Sequence, residues 1–268
     1  MWLRRTLLIL TLLSLNAEVH ALTLTPQQRL IADQIISIFE NDDPTIQYGY
    51  AAMLGDGRGI TAGRAGFTSA TGDMLEVIER YSAIQPDNSL AAYLPRLRQL
   101  AQTEDDSTHG LQGLPEQWRQ ESKHAVFRNV QDEVVDEVYY LPAMQRATDL
   151  DARLPLTLLC LYDAIIQHGE GDDPDGLPAM IARTNQKMSG TPGDGVDEQA
   201  WLKAFLKIRK QVLRHPDNWQ TQEEWSQSTG RVDALMKLLK QGNMDLHAPV
   251  IVAPWGESFT LPSLLKTP

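Results

Sequence analysis

Two acidic residues in the first quarter of the chain are placed for carboxylate chemistry. Glu40 closes a helical pattern of apolar positions, Leu30, Ile31, Ile35, Ile38 and Phe39, and Asp56 follows sixteen positions later in a glycine-rich run, with Tyr48 and Tyr50 between them. A carboxylate at a helix C-terminus faces the negative end of the dipole and, beside an apolar face, is poorly solvated; both effects favour its protonated form. Arg58, two residues beyond Asp56, would hold that second carboxylate ionised. A protonated and an ionised carboxyl group are what glycosidic hydrolysis requires, one donating to the leaving oxygen and the other acting across the sugar ring. On spacing alone, two ordinary surface acids remain the simpler reading.

Other chemistries lack their residues. The six histidines are scattered singly, and Cys160 is the one cysteine, so neither a zinc site nor an intrachain disulfide is expected. Cys160 lies in Leu156-Thr157-Leu158-Leu159-Cys160-Leu161 and reads as a small buried hydrophobe rather than a nucleophile. No G-x-S-x-G elbow and no Walker loop occurs, and no metal or cofactor is expected.

The elements that must position the two acids are mostly helical. Thr25-Pro26-Gln27-Gln28 reads as a capping box with proline in the first turn, and the helix it opens should stop near Asn41-Asp42-Asp43-Pro44. Residues 55–73 hold six glycines interleaved with Ile60, Thr61, Phe67 and Thr68, which predicts a small β-sheet of short strands. Met74 to Tyr81 resumes helix, a short helix follows Ser89, and residues 102–115 form a surface loop. Trp118, Val126, Val130, Val134 and Val138 are spaced for one face of a long helix, and Leu156 to His168 for a central buried one. Further helices run over Glu198 to Leu213 and Arg231 to Lys240. The tail from Pro249, with three further prolines after it, reads as irregular.

The chain has 268 residues, 42% of them apolar, enough for a full core. Its net charge of −11 argues against nucleic acid and anionic lipid as partners and favours a cationic ligand. Arg4 and Arg5, the apolar run Thr6 to Leu15, and Val19-His20-Ala21 make residues 1–21 an export signal. Cleavage after Ala21 removes two Arg and one Glu and leaves a charge of −12 on residues 22–268, a secreted or periplasmic catalytic domain.

The block Glu40-Asn41, Tyr48, Gly55-Asp56-Gly57-Arg58-Gly59-Ile60-Thr61 and Gly66-Phe67-Thr68-Ser69-Ala70-Thr71-Gly72-Asp73-Met74 resembles the chitosanases of glycoside hydrolase family 46. The resemblance extends in order through Tyr93-Leu94-Pro95, Tyr162-Asp163-Ala164-Ile165, His168-Gly169, Phe205-Leu206, Arg209-Lys210, Arg231-Val232-Asp233 and Gly242-Asn243-Met244-Asp245-Leu246, nearly the whole chain after the signal. The segment between Glu40 and Asp56 is about two residues shorter than the family's pattern.

The resemblance implies a mainly α, α+β lysozyme-like fold, with two mostly helical lobes and a small β-sheet flanking a substrate cleft. It implies endo-hydrolysis of the β-1,4 links of chitosan with inversion, so the two carboxyl groups should stand roughly 6.5–9.5 Å apart. Glu40 would be the general acid, Asp56 the general base and Thr61 a holder of the attacking water. Asp73 would bind a sugar amine, and Tyr50, Arg58, Gly66 and His168 would line the cleft. Asp163, Arg209 and Arg231 would form a buried charge network, joined by Glu223, with Glu224 equally well placed. Residue by residue, plainer readings stay open: Asp163 as a paired buried charge, His168 as a helix C-terminal dipole partner, Arg58 as a lock on the glycine turn and Tyr48 as packing. The implied partner is chitosan or a glucosamine oligosaccharide, acted on by a monomer with no membrane attachment after signal cleavage. A muramidase-like lysin of the same fold and a non-catalytic periplasmic binder of cationic oligosaccharides are the alternatives; the acidic charge speaks against the first and the acid–base pair against the second.

Overall fold

The computed structural model describes residues 22–263, so the export signal assigned to residues 1–21 lies outside the described residues. The first helix, α1 (Pro26–Asn41), opens on the capping box formed by Thr25 and Gln28 and ends where Asp42 turns left-handed at φ 55°. Residues Ile31 to Phe39 are buried on all sides, which leaves three polar side chains inside that need partners. Asp33 takes Arg29 and Arg64, Gln34 takes the backbone of Ser263, and Ser37 donates to the carbonyl of Thr45. Each of these bolts α1 to a different part of the chain.

A three-stranded antiparallel sheet follows: β1 (Ala51–Met53), β2 (Ile60–Ala62) and β3 (Phe67–Thr68), in sequence order, with Ala51 opposite Ala62 and Thr61 opposite Thr68. The β1–β2 loop carries Asp56 and depends on glycine: at Gly59, with φ 79°, a Cβ would collide with Ser69 Oγ and stand 3.2 Å from the carbonyl oxygen of Asp106. The helices α2 (Asp73–Ile84) and α4 (Leu114–Glu121) pack on this sheet, and α3 (Leu94–Thr103) and α5 (Ala125–Val135) pack on α2. A π-helical turn, Asp136–Tyr140, leads into α6 (Leu141–Asp149), and α7 (Pro155–His168) is buried along nearly its whole length. The second group comprises α8 (Leu177–Met188), α9 (Glu198–Arg214), the short α10 (Gln222–Gln227) and α11 (Thr229–Lys240), closed by a hairpin of β4 (Val250–Val252) and β5 (Phe259–Leu261). Helix α7 touches α1, α6, α8 and α11, so it is the spine between the two groups. The arrangement is a mainly α, lysozyme-like fold with a small sheet.

Two local expectations are corrected, and one helix is added. The stripe from Trp118 to Val138 belongs to two helices and a π turn, because the chain bends at Ser122-Lys123, whose carbonyls are taken by Arg128 at 3.0 and 2.7 Å. Among the described residues the tail after Pro249 forms a hairpin: Val250, Val252 and Leu261 point inward with period two, and Pro249, Pro254 and Pro262 flank the strands instead of interrupting them. Helix α8 went unread in the sequence, since its buried stripe is narrow and only Leu177 and Met180 in it are apolar, Thr184 being the third member. Trp201 and Phe205, both fully buried, stack in the core at 5.5 Å, and Cys160 is buried with its thiol pushed up by burial.

Candidate active site

A cavity of about 370 Å³ opens between the end of α1, the sheet and α7. Helix α1 contributes Ile36, Glu40 and Asn41; the sheet and its loops contribute Tyr50, Leu54, Arg58, Thr61 and the turn Gly63 to Gly66; Val135, Tyr139, Tyr162 and Ile166 complete the wall. Glu40, Tyr50, Arg58, Thr61 and Gly66 are thus brought to one cavity from four separate segments. Gly66 has a left-handed φ of 69°, and a Cβ there would come within 3.4 Å of the Thr61 methyl. The hydroxyl of Thr61 is buried and makes no hydrogen bond within the protein. A buried hydroxyl without a partner, on a residue of the cavity wall, is one that a water or a substrate oxygen would satisfy.

Asp56 stands on the exposed β1–β2 loop next to this cavity rather than in its wall. Its carboxylate accepts from Arg58 Nη2 at 2.7 Å, Arg58 Nε at 3.0 Å and the Arg58 backbone N–H at 3.1 Å. The side-chain bonds from Arg58 hold the Asp56 carboxyl below the usual carboxylate range, as the sequence suggested. Arg58 therefore both locks the turn and reaches the cavity.

The setting of Glu40 differs from the apolar one expected. Its side chain is 42% exposed and accepts from Arg231 Nη2 at 2.5 Å. Arg231 lies in the first turn of α11 and also reaches Asp163 Oδ1, at 2.7 Å from Nη2 and 3.2 Å from Nε. Arg209 Nη1 donates to the other oxygen of Asp163, its Nη2 donates to Gln167 at 2.6 Å, and its Nε donates to His168 Nε2 at 3.2 Å. Asp163, Arg209 and Arg231 are all buried. Burial opposes the Asp163 charge, but the two guanidinium groups outweigh it and hold the carboxyl below its ordinary range.

Other expected site residues stand elsewhere. His168 is buried and does not line the cavity; its Nε2 accepts from Arg209, its Nδ1 points toward the Asp175 backbone without completing a hydrogen bond, and Trp225 packs edge-on at 4.9 Å. Burial and then the neighbouring Arg209 push its pKa down to about 2, so the ring is neutral and closes the charge network from behind. Glu223 and Glu224 are both exposed on α10 and contact neither Asp163 nor either arginine. The carboxylate that completes the network is Glu40 itself.

Asp73, the expected amine-binding residue, heads α2 outside the wall of this cavity, and its Oδ1 accepts from the Thr68 backbone (2.8 Å), the Thr71 hydroxyl (2.8 Å) and the Met74 backbone (2.9 Å). Oδ2 takes part in none of these bonds. Tyr139, in the π turn, senses both ends of the site: burial, then Asp73, then Glu40 push its phenol up.

A family model for glycosyl hydrolase family 46 matches residues 34–250 of this chain. The chain belongs to glycosyl hydrolase family 46. A chitosanase from Bacillus subtilis (strain 168) is 46% identical over 250 residues, 92% of this chain and 90% of that one. A family 46 chitosanase from Gynuella sunshinyii, solved in complex with chitotetraose, is 69% identical, with a TM-score of 0.78 over 90% of this chain and 100% of that one. A mutant chitosanase from Bacillus subtilis MY002 complexed with six GlcN is 45% identical, with a TM-score of 0.77 over 89% and 99% of the two chains.

In this family 46 hydrolase the sequence left a second, partly buried network unread, beneath the cavity floor. Arg64 pairs with Asp33 at 3.0 Å and with Asp132, while Arg29 pairs with Asp33 and with Asp136 and lies 3.9 Å over the Tyr140 ring. Tyr48 donates to Asp132 at 2.8 Å and Tyr162 to Asp33 at 3.3 Å. These contacts tie α1, which carries Glu40, to the β2–β3 turn beside Thr61. The legible signal was Asp33, an acid inside the apolar run of α1.

Proposed function

We propose that this hydrolase is an exported endo-chitosanase that cuts β-1,4 links between glucosamine units with inversion. The observation that carries the reading is the placement of Glu40 and the unpartnered hydroxyl of Thr61 on one cavity, with the ionised Asp56 on the adjoining loop. The substrate class follows from the relatives bound to chitotetraose and to GlcN, and from the net charge of −11, which draws cationic chains toward the protein and weakens with salt. Export rests on Arg4, Arg5 and the apolar run after them, and monomeric action is part of the same reading.

In the reaction, protonated Glu40 donates to the glycosidic oxygen as the bond to the anomeric carbon breaks. Water held by Thr61 attacks that carbon from the opposite face, and Asp56 accepts its proton. Arg58 keeps Asp56 ionised until water arrives. The free Oδ2 of Asp73 accepts from a sugar ammonium, its other oxygen being fixed by the β3–α2 junction. Asp163, Arg209 and Arg231 fix the acid from behind.

Viscometry on highly deacetylated chitosan, chitin and peptidoglycan tests the substrate class. Chitosan viscosity is expected to fall far faster than reducing ends accumulate, with peptidoglycan untouched; no action on chitosan would contradict the reading. Thr61→Val preserves the shape and β-branching of a strand residue and removes only the hydroxyl. It is expected to lower kcat by roughly 10-fold or more, with KM and the unfolding midpoint little changed, as measured by steady-state kinetics and thermal melts.

A further inference from the structure

The C-terminal hairpin touches both residues that flank the Glu40–Arg231 pair. Just after β5, Ser263 exchanges two backbone hydrogen bonds with the Gln34 side chain of α1, at 3.1 and 3.0 Å. In the hairpin loop, Trp255 sets its indole edge-on to the Phe39 ring, with centroids 6.3 Å apart and planes at 81°. Its Nε1 donates to the carbonyl of Gln227 at 3.2 Å. Gly230 leaves no space for a side chain: a Cβ there would collide with the Pro254 carbonyl oxygen and stand 2.8 Å from Trp255 Nε1. Phe39 precedes Glu40 and Gly230 precedes Arg231, and the Arg231 guanidinium itself lies 5.2 Å over the Phe39 ring.

Glu40 needs such support. It sits in the last turn of its helix, 42% exposed, and the one hydrogen-bond partner of its carboxylate among the described residues is Arg231. A half-exposed glutamate has several rotamers open to it, and misplacement of a reacting group by a fraction of an ångström is costly in rate. Packing from the hairpin denies Phe39 and Arg231 the alternative positions that would release it.

We propose that Trp255 is a positioning residue for the general acid, holding Glu40 through Phe39 on one side and the Gly230–Arg231 turn on the other. The inference rests on Glu40 being the acid. It predicts a defect confined to proton donation, which a leaving group that departs without a proton exposes.

The test compares Trp255→Ala, Trp255→Phe and Gly230→Ala in the full-length enzyme, with Glu40→Gln as reference. Each is assayed on chitosan and on a glucosamine oligosaccharide bearing a 2,4-dinitrophenyl leaving group, below the unfolding midpoint of every variant. Trp255→Ala and Gly230→Ala are expected to lower kcat on chitosan about 10-fold with KM within about two-fold, and to stay within about two-fold of wild type on the dinitrophenyl glycoside. Trp255→Phe, which keeps an aromatic edge against Phe39, should recover most of the rate.

Equal losses on both substrates, a change in KM alone, or an unaltered kcat would overturn the proposal. If Glu40→Gln shows the leaving-group dependence and the hairpin variants do not, positioning by Trp255 fails alone. If Glu40→Gln itself loses equally on both substrates, the assignment of the acid fails. Should Trp255→Ala not fold, Gly230→Ala decides by the same criteria, since it displaces Trp255 without removing any aromatic ring.

Discussion

Glu40→Gln is expected to reduce kcat on chitosan by about 10³-fold while the protein stays folded and still binds its substrate, general acid catalysis being worth roughly 10²–10⁴-fold. Glutamine is isosteric and its amide oxygen still accepts from Arg231, so the geometry at the end of α1 should persist. The pair with Arg231 involves a side chain 42% exposed, and losing its ionic part costs at most about 1 kcal/mol. Steady-state kinetics, a thermal melt and calorimetric titration with a glucosamine hexamer separate the three quantities. A variant within 10-fold of wild type in kcat would mean that another group donates the proton. A variant that loses binding in proportion would mean that Glu40 acts on substrate affinity instead.

Asp163→Asn should have the largest effect on stability, destabilising the fold by about 3–5 kcal/mol, because it removes the charge between two buried guanidinium groups. Arg209 cannot turn to water from its buried site, and Arg231 keeps only Glu40. Denaturant unfolding measures the loss, and turnover should fall with it, since Arg231 no longer has a fixed anchor behind Glu40. The acid side of the wild-type stability curve has the same origin. The folded carboxyl of Asp163 lies below its ordinary value, so its contribution is complete above the unfolded carboxylate value of about 4 and is lost as pH falls through the folded one. Below about pH 4, wild type and Asp163→Asn should therefore converge in stability. A constant gap between them down to pH 2 would contradict the account.

What was legible in the sequence is what local chemistry decides. The capping box at Thr25 needs only residues three apart, and it starts α1 where expected. Asp163 announced itself as an acid inside an almost wholly apolar helix, which forces a buried partner whatever the fold. The glycine-rich run had to form tight turns, and it forms the loop and sheet that bring Arg58, Thr61 and Gly66 to one cavity.

What was not legible depends on distant segments meeting. No spacing shows that Glu40 rather than Glu223 ends the network, because Arg231 chooses between them only once α1 and α11 are packed. His168 lies five residues beyond Asp163 on α7, and only the packing of α9 brings Arg209 to both, so its ring is spent on that arginine and does not line the cavity. Tyr139 and Tyr162 line the site from segments whose local pattern says only that they are helical. The C-terminal hairpin was obscured by its prolines, although Val250 and Val252 already alternate.

The anomeric configuration of the first product tests the central claim most directly. Proton NMR of a glucosamine hexamer during early hydrolysis should show new reducing ends appearing as the α anomer, with the β anomer growing only by later mutarotation, because water held by Thr61 and deprotonated by Asp56 attacks opposite the bond that Glu40 breaks. New ends appearing first as the β anomer would mean a covalent intermediate and retention, and would contradict the assignment of acid, base and water in this cavity.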